Sequence, residues 1–375
     1  MIRIEQVKSA RQRREFLNFP IRLYKDNPNF VAPLWIDEKK IFNKNYVYHD
    51  TCDDIFFLAY KDGKVAGRIE GILQKAANEK NAQKRVRFIR FDCIEDFEVA
   101  KALFEAVENW AKELGMEEVC GPLGYSDLER EGLLIEGFDE LSTFEEWYNA
   151  PYYQDFIERL GYSKEVDWNE SQLRLPSDTA CIEELGKLSD FILKRYKLHL
   201  GEAKSTNDFI HRYLDGIFEV LDRSYEGIYG TVPFSDGMKK LMVDNFKMII
   251  NPKRAAVIVD ENERVIAFAV SFSSLAKAIQ SRQGHITPVS AVKLLRALRK
   301  PSVVDLCLVG VEPEWLNRGV STVFVYNMMT MLRDQGIEYF ETNLNLEDNY
   351  VIQNMWKRFD RRIHKRRRAY VKNLH

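Results

Sequence analysis

Residues 305–329, DLCLVGVEPEWLNRGVSTVFVYNMM, read as a buried strand, a tight turn and a helix. The strand is a nearly unbroken apolar run that ends close to Val311, where Pro313 stops it, because proline has no N–H to give to a sheet ladder. Arg318 and Gly319 then open the helix. The first N–H groups of a helix lack intrahelical acceptors and sit at the positive end of its dipole, so this arrangement is suited to holding a phosphate. Gly319 has no Cβ and lets a diphosphate come close to the backbone. A generic strand–turn–helix shares much of this, so residues elsewhere have to decide.

They lie downstream, in YFETNLNLED (339–348) and NYVIQNMWKRF (349–359). Together with the first stretch they resemble the GNAT superfamily of N-acetyltransferases, in which a fourth strand is followed by Gln/Arg-x-x-Gly-x-Gly/Ala. Leu316-Asn317-Arg318-Gly319-Val320-Ser321 keeps the central glycine, has Leu316 in the leading position and ends on Ser321. The resemblance implies acetyl-CoA or another acyl-CoA as co-substrate and no metal. Its pantetheine would run along Leu308, Val309 and Val311, its diphosphate would sit on Arg318, Gly319, Val320 and Ser321, and Asn349 would fix its far end. Seven residues past that asparagine the family commonly has a tyrosine acting as general acid; here the position is Trp356, and Tyr326 and Tyr370 are the tyrosines that could replace it.

The 375 residues exceed what one hydrophobic core usually supports, and 45% hydrophobic residues are ample for two. A net charge of −2 argues against a whole-molecule nucleic-acid or membrane-surface role. Five dispersed cysteines, with no metal-ligand spacing, read as reduced buried thiols. No apolar run of membrane-spanning length occurs and the charged N-terminus is unlike a signal peptide, so the expected location is the cytoplasm.

Along the chain, a strand at 2–7 and a helix from Ala10 precede a hairpin, IFFLAYKDGKVAGRIEGIL, turned at Asp62-Gly63. A strand (RVRFIRFDCI), a helix at 97–114 closed by Gly115, a strand at 117–125, a helix near Tyr153 to Leu160 and a strand (VDWNESQLRL) follow. Beyond Pro176-Ser177-Asp178 the order returns: helices at 182–197, 206–224 and 238–249, a hairpin at 255–272, then the opening motif. The expectation is a mixed-sheet α/β fold of two tandem GNAT-like domains, 1–175 and 176–375. At the corresponding helix start of the first domain, Glu95, Asp96 and Glu98 would repel a diphosphate, so the coenzyme is assigned to the second.

Acyl transfer to an amine needs a proton acceptor, and Glu341 and Asp305 are the acids nearest the motif, with Asn343 on the face of Glu341 by strand alternation. The loop 121–153 mixes glycines, aromatics and acids without periodicity, which marks a functional or a stitching loop. Its Asp127, Glu131 and Asp139 would bind a cationic amine or peptide acceptor, walled by Tyr152 and Tyr153. The pattern of this loop resembles bacterial two-domain acetyltransferase-like proteins. An insertion, SLAKAIQSRQGHITPVSAVKLLRALRKP, reads as two amphipathic helices, either packing filler or a lid. Lys357 to Arg368, with eight Lys or Arg in twelve residues, reads as a helix end and a hairpin with a solvated basic face. Three functions stay open: an N-acyltransferase, a degenerate acyl-CoA-binding protein, and an aminoacyl-tRNA-dependent peptidyltransferase.

Overall fold

The computed structural model describes every residue of the chain except Met248. The first 175 residues give β1 (Ile2–Gln6), α1 (Ala10–Leu23), the short α2 (Trp35–Glu38), the hairpin β2 (Cys52–Lys61) and β3 (Lys64–Gln74), α3 (Lys75–Asn81), β4 (Arg85–Cys93), α4 (Phe97–Glu113), β5 (Glu118–Gly121), β6 (Leu133–Glu136), α5 (Tyr152–Arg159) and β7 (Ser163–Arg174). The remainder gives α6 (Ala180–Tyr196), β8 (His199–Leu200), α7 (Thr206–Ser224), α8 (Asp236–Phe246), the hairpin β9 (Ala255–Val259) and β10 (Val265–Ser273), α9 (Ala276–Gln280), α10 (Pro288–Arg299), β11 (Val303–Val311), α11 (Ser321–Gln335), β12 (Tyr339–Thr342), β13 (Asn345–Leu346), α12 (Tyr350–Trp356) and β14 (Asp360–Asn373). The helix expected to run to Ile249 reaches Phe246, and its residue 248 lies outside the described residues.

Local chemistry explains many of these boundaries. Asp62 and Gly63 take positive φ, 52° and 79°, as a tight primed turn requires. Ser9 and Gln12 form a capping box on α1, and Asp96 and Ser205 cap α4 and α7 with their side chains. Thr287 and Ser290 box α10, with Pro288 in its first turn.

All the strands join one mixed sheet, in the order β1-β2-β3-β4-β5-β14-β7-β12-β11-β10-β9-β8, with β6 on β14 and β13 on β7. The two halves exchange their last strands. β7 pairs with β12 of the second half, β14 pairs with β5 of the first, and β7 and β14 run antiparallel to each other at the centre. The basic end is therefore one central strand following α12 rather than a solvated hairpin. Lys365 and Arg367 are buried there, both on Glu170, at 2.7 and 2.5 Å. Burial opposes ionisation of Glu170, but the two cations hold its carboxyl below its ordinary range.

Each half has one parallel pair that separates. β4 and β5 pair over Arg85–Arg87, and β11 and β12 over Val303–Leu306; past those residues β4 and β11 run on without that neighbour. Both carry a register shift against the preceding strand. Leu306 and Leu308 are successive partners on β10, which leaves Cys307 as the extra residue, and β4 shifts around Arg90, whose φ is 51°. In the second half this bulge changes which side chains face α7: Leu308 packs with Phe209 and Phe218, whereas Leu306 packs with Met328 and Met329 on the opposite face.

Candidate active site

Where β11 leaves β12, the second half opens into a cavity of about 460 Å³. Leu306 to Val311 form one wall, and Asn343 to Leu346 with Met355 and Trp356 form another. Tyr225 and Tyr229, just after α7, close a third side. The segments on either side of β6, between β5 and α5, supply the last side with Asp127, Glu129, Glu131, Glu145 and Glu146, and no Lys or Arg is among the lining residues. Ser321 lies at the mouth, at the start of α11, and that helix has no side-chain cap. The Thr322 and Val323 N–H groups bond the carbonyls of Gly319 and Val320, at 2.9 and 3.0 Å, so an anion would be met by the amides ahead of them, at the turn itself.

The first half is built differently at the matching place. The backbone of Cys93, at the end of β4, is already taken: its N–H donates to the Tyr153 hydroxyl at 2.7 Å, and its carbonyl accepts from Tyr152 and Tyr153 at 2.7 and 3.1 Å. Asp96 caps α4, and Lys61 bonds that aspartate. Arg90, at the bulge, is buried on Glu38 and Glu70.

Of the residues proposed for the coenzyme, Leu308, Val309, Val311, Ser321 and Asn349 line the cavity. Gly319 sits at the end of a 3-10 turn with φ 76°, a conformation that suits glycine. Arg318 points elsewhere, exposed over the Trp315 ring at 4.4 Å, and Val320 is buried in the core with Val323 and Phe324. Asn349 caps α12, accepting from the Ile352 N–H at 3.2 Å. Trp356 is buried, and its indole N–H donates to Asn345 Oδ1 at 2.7 Å, so it offers no acid.

Of the residues proposed for the acceptor, Asp127, Glu131 and Asn343 line the cavity. Asp139 does not; it lies exposed in the loop. Tyr152 and Tyr153 do not either, because their rings pack in the first half's core and their hydroxyls satisfy Cys93. Glu341 and Asp305 are register partners on β12 and β11 and face a smaller adjoining chamber of about 180 Å³. Glu341 accepts from His364 at 2.6 Å and meets Lys365 at 3.1 Å. Asp305 is fully buried without a hydrogen bond to either carboxyl oxygen, and burial followed by the Glu341 charge pushes it up to about 8.

Sequence reasoning missed three contributors. Glu145 lines the larger cavity, raised well above the carboxylate range first by burial and then by Asp305 and Glu146. Burial also raises Glu146, which it shares a wall with. Tyr225 is half-buried with its hydroxyl donating to the Val309 carbonyl at 3.4 Å, which puts a phenol beside the strand that Tyr326 and Tyr370 do not reach. Tyr326 lies against Gly186 of α6, and Tyr370 bonds Glu158.

Among solved structures, a tandem GNAT protein from the clavulanic acid biosynthesis pathway superposes with a TM-score of 0.56 at 9% identity, covering 100% of this chain and 99% of that one. The chain has the tandem GNAT fold. A GCN5-related N-acetyltransferase from Sphaerobacter thermophilus covers 100% of the chain at a TM-score of 0.50 and 9% identity, and 96% of its own length. In sequence, the chain is 27% identical over 370 residues to Protein YghO of Escherichia coli (strain K12), which spans 96% of this chain and 92% of that protein. It is 23% identical over 380 residues to the bacterial ceramide synthase of Caulobacter vibrioides, 98% of this chain and 96% of that one. No family model matches.

Among the described residues, no group of three or more His, Cys, Asp or Glu could hold a metal ion, and no helix is long and apolar enough to cross a membrane.

Proposed function

We propose that the protein is an acyl-CoA-dependent N-acyltransferase whose coenzyme lies in the second half and whose amine acceptor is held by carboxyl groups of the segments between β5 and α5. The asymmetry of the two splayed strand pairs supports this reading most directly. One opens into a cavity beside an uncapped helix start; the other is filled by tyrosine hydroxyls and an aspartate cap. The backbone of Leu308 to Val311 would pair with pantetheine, and the amides around Gly319 and Ser321 would take the diphosphate.

The acceptor side suits a cation. A buried carboxyl cluster without lining Lys or Arg is costly to ionise alone, and an incoming ammonium would restore the charged form of one member. Glu145 would accept the ammonium proton, leaving a neutral amine. That amine attacks the thioester carbonyl and the carbon–sulfur bond breaks as the amide forms; Tyr225 gives its phenol proton to the leaving thiolate and regains one from the nitrogen, which keeps a single N–H in the amide, so the products are the amide, the free thiol and protonated Glu145. Asp305 and Glu341, in the adjoining chamber, would tune Glu145 rather than act on the substrate.

The acceptor class that fits is a long-chain amine. The walls beyond the carboxyl groups are apolar, with Trp168, Leu344, Leu346 and Ile352, and one relative is named for ceramide, an N-acylated long-chain amino alcohol. Release of free thiol from acetyl-, octanoyl- and palmitoyl-CoA in the presence of short and long primary amines tests the reading. Turnover that requires both partners and is lost in Glu145→Gln supports it. Binding of acyl-CoA without turnover of any amine favours a ligand-binding role instead.

A further inference from the structure

The whole-chain charge of −2 conceals a local imbalance. Residues 274–304 contain six Lys or Arg and no Asp or Glu. Their main element, α10, is amphipathic in an unusual sense, because both of its faces carry apolar side chains. Leu294, Ala297 and Leu298 turn inward onto Val31, Leu275 and Ile279. Val289, Val292 and Leu295 turn outward, 50%, 61% and 56% exposed, with Ile286 beside them at 56%. Exposed Lys293, Arg296 and Arg299 border this outer stripe, and no acidic residue of the segment neutralises them. A capping box and Pro288 fix the start of the helix, so the stripe is held in place by the fold.

We propose that the outer face of α10 docks the protein on an anionic phospholipid bilayer. Apolar side chains bordered by cations, on a helix of low overall hydrophobicity, are the pattern that lies in the plane of a membrane interface, where acyl chains receive the apolar residues and anionic headgroups the basic ones. Charge selects this occupant over an ordinary protein partner or a second copy: a second copy would bring the same cations against this stripe.

The placement also serves chemistry. The smaller chamber, bounded by Asp305 and Glu341, is walled on its outer side by Ala297 and Lys300 of this segment. A lipid-borne amine would then meet the protein beside α10, on the side of the fold that holds Asp305 and Glu341. This last step rests on the N-acyltransferase reading; the docking itself does not.

The test is co-sedimentation of the full chain with vesicles of phosphatidylglycerol and phosphatidylcholine, against pure phosphatidylcholine. Partition is expected to be about tenfold higher on the anionic vesicles and to fall with added salt. It should drop to the phosphatidylcholine level in Lys293→Glu/Arg296→Glu and in Val289→Ser/Val292→Ser/Leu295→Ser, with thermal melting as the folding control. If the apolar variant misfolds, the charge variant decides alone. Equal partition on the two vesicle types, or anionic binding that the charge variant leaves intact, overturns the proposal. So does sedimentation velocity showing a dimer that both variants dissociate. Thiol release with a water-soluble amine should be unchanged in the charge variant, so failure of docking and failure of acyl transfer are read separately.

Discussion

Asp305 and Glu341 face each other as register partners across the parallel pair β11–β12, yet only Glu341 has an ion-paired cation, Lys365, with His364 hydrogen-bonded beside it. Two neighbouring carboxyl groups in one buried place cannot both ionise cheaply, and the group without a partner is the one that stays protonated.

A pH-dependent stability follows. With its carboxyl pushed up to about 8, Asp305 keeps its proton in the fold at pH values where the unfolded chain has lost it. Its contribution is fully present below the ordinary aspartate range and is lost as pH rises through about 8. Asp305→Asn removes that slope. Thermal melts at pH 5 and pH 8 should show the variant gaining several degrees on the parent at the higher pH and much less at the lower one; parallel shifts at both would contradict the buried neutral acid.

Glu170 carries the centre of the sheet, because Lys365 and Arg367 both end on it with no solvent access. Glu170→Ala leaves buried Arg367 without its carboxylate and Lys365 with Glu341 alone, and should cost on the order of 3–5 kcal/mol in denaturant unfolding. Glu170→Gln, which keeps the shape and half of the hydrogen bonding, should cost less. A loss within experimental error in both variants would show that water reaches the triad.

Tyr152 and Tyr153 are expected to be structural. Replacing both with Phe strips the partners from the Cys93 backbone, at a cost of about 1–3 kcal/mol for each buried group left unsatisfied, while KM for the amine stays unchanged. A raised KM at unchanged stability would return these rings to the acceptor site.

Tyr225 and Glu145 separate by kinetics. Glu145→Gln should lower kcat/KM by about 10²-fold or more, and less for an amine that is already neutral at the assay pH. Tyr225→Phe should lower kcat with little effect on acyl-CoA affinity if its hydroxyl, now on the Val309 carbonyl, serves the leaving thiolate as proposed; an unchanged kcat would remove it from the reaction.

How much of this was legible in the sequence depends on how local the cause is. The Asp62-Gly63 turn and the caps at Ser9, Asp96 and Ser205 act within a few residues, and the elements they bound are close to where periodicity puts them. The basic end was misread because its neutralising partner is not local: Arg367 meets Glu170 across 197 residues, and nothing nearby in the chain separates a buried cation from a solvated one. Tyr225 reaches Val309 over 84 residues and ends a helix whose pattern signals only packing. Glu145 lies in a loop with no period to say which way it points. In the same loop, Tyr152 and Tyr153 looked like a wall because aromatic residues beside acids suit an amine, but their hydroxyls serve a strand end sixty residues away.

The central claim is that acyl-CoA binds at the start of α11, and isothermal calorimetry of acetyl-CoA with the parent chain and with Gly319→Asp tests it most directly. The substituted Cβ would come within 3.1 Å of the flexible end of Ile192, a contact that can relax, while the φ of 76° adds backbone strain that Asp bears better than most residues, so a thermal melt of the variant establishes its fold before the titration. The account predicts a saturable heat for the parent that disappears in Gly319→Asp, where a carboxylate occupies the place of the diphosphate. Equal heats in the two proteins, or none in the parent at millimolar acetyl-CoA, would contradict it.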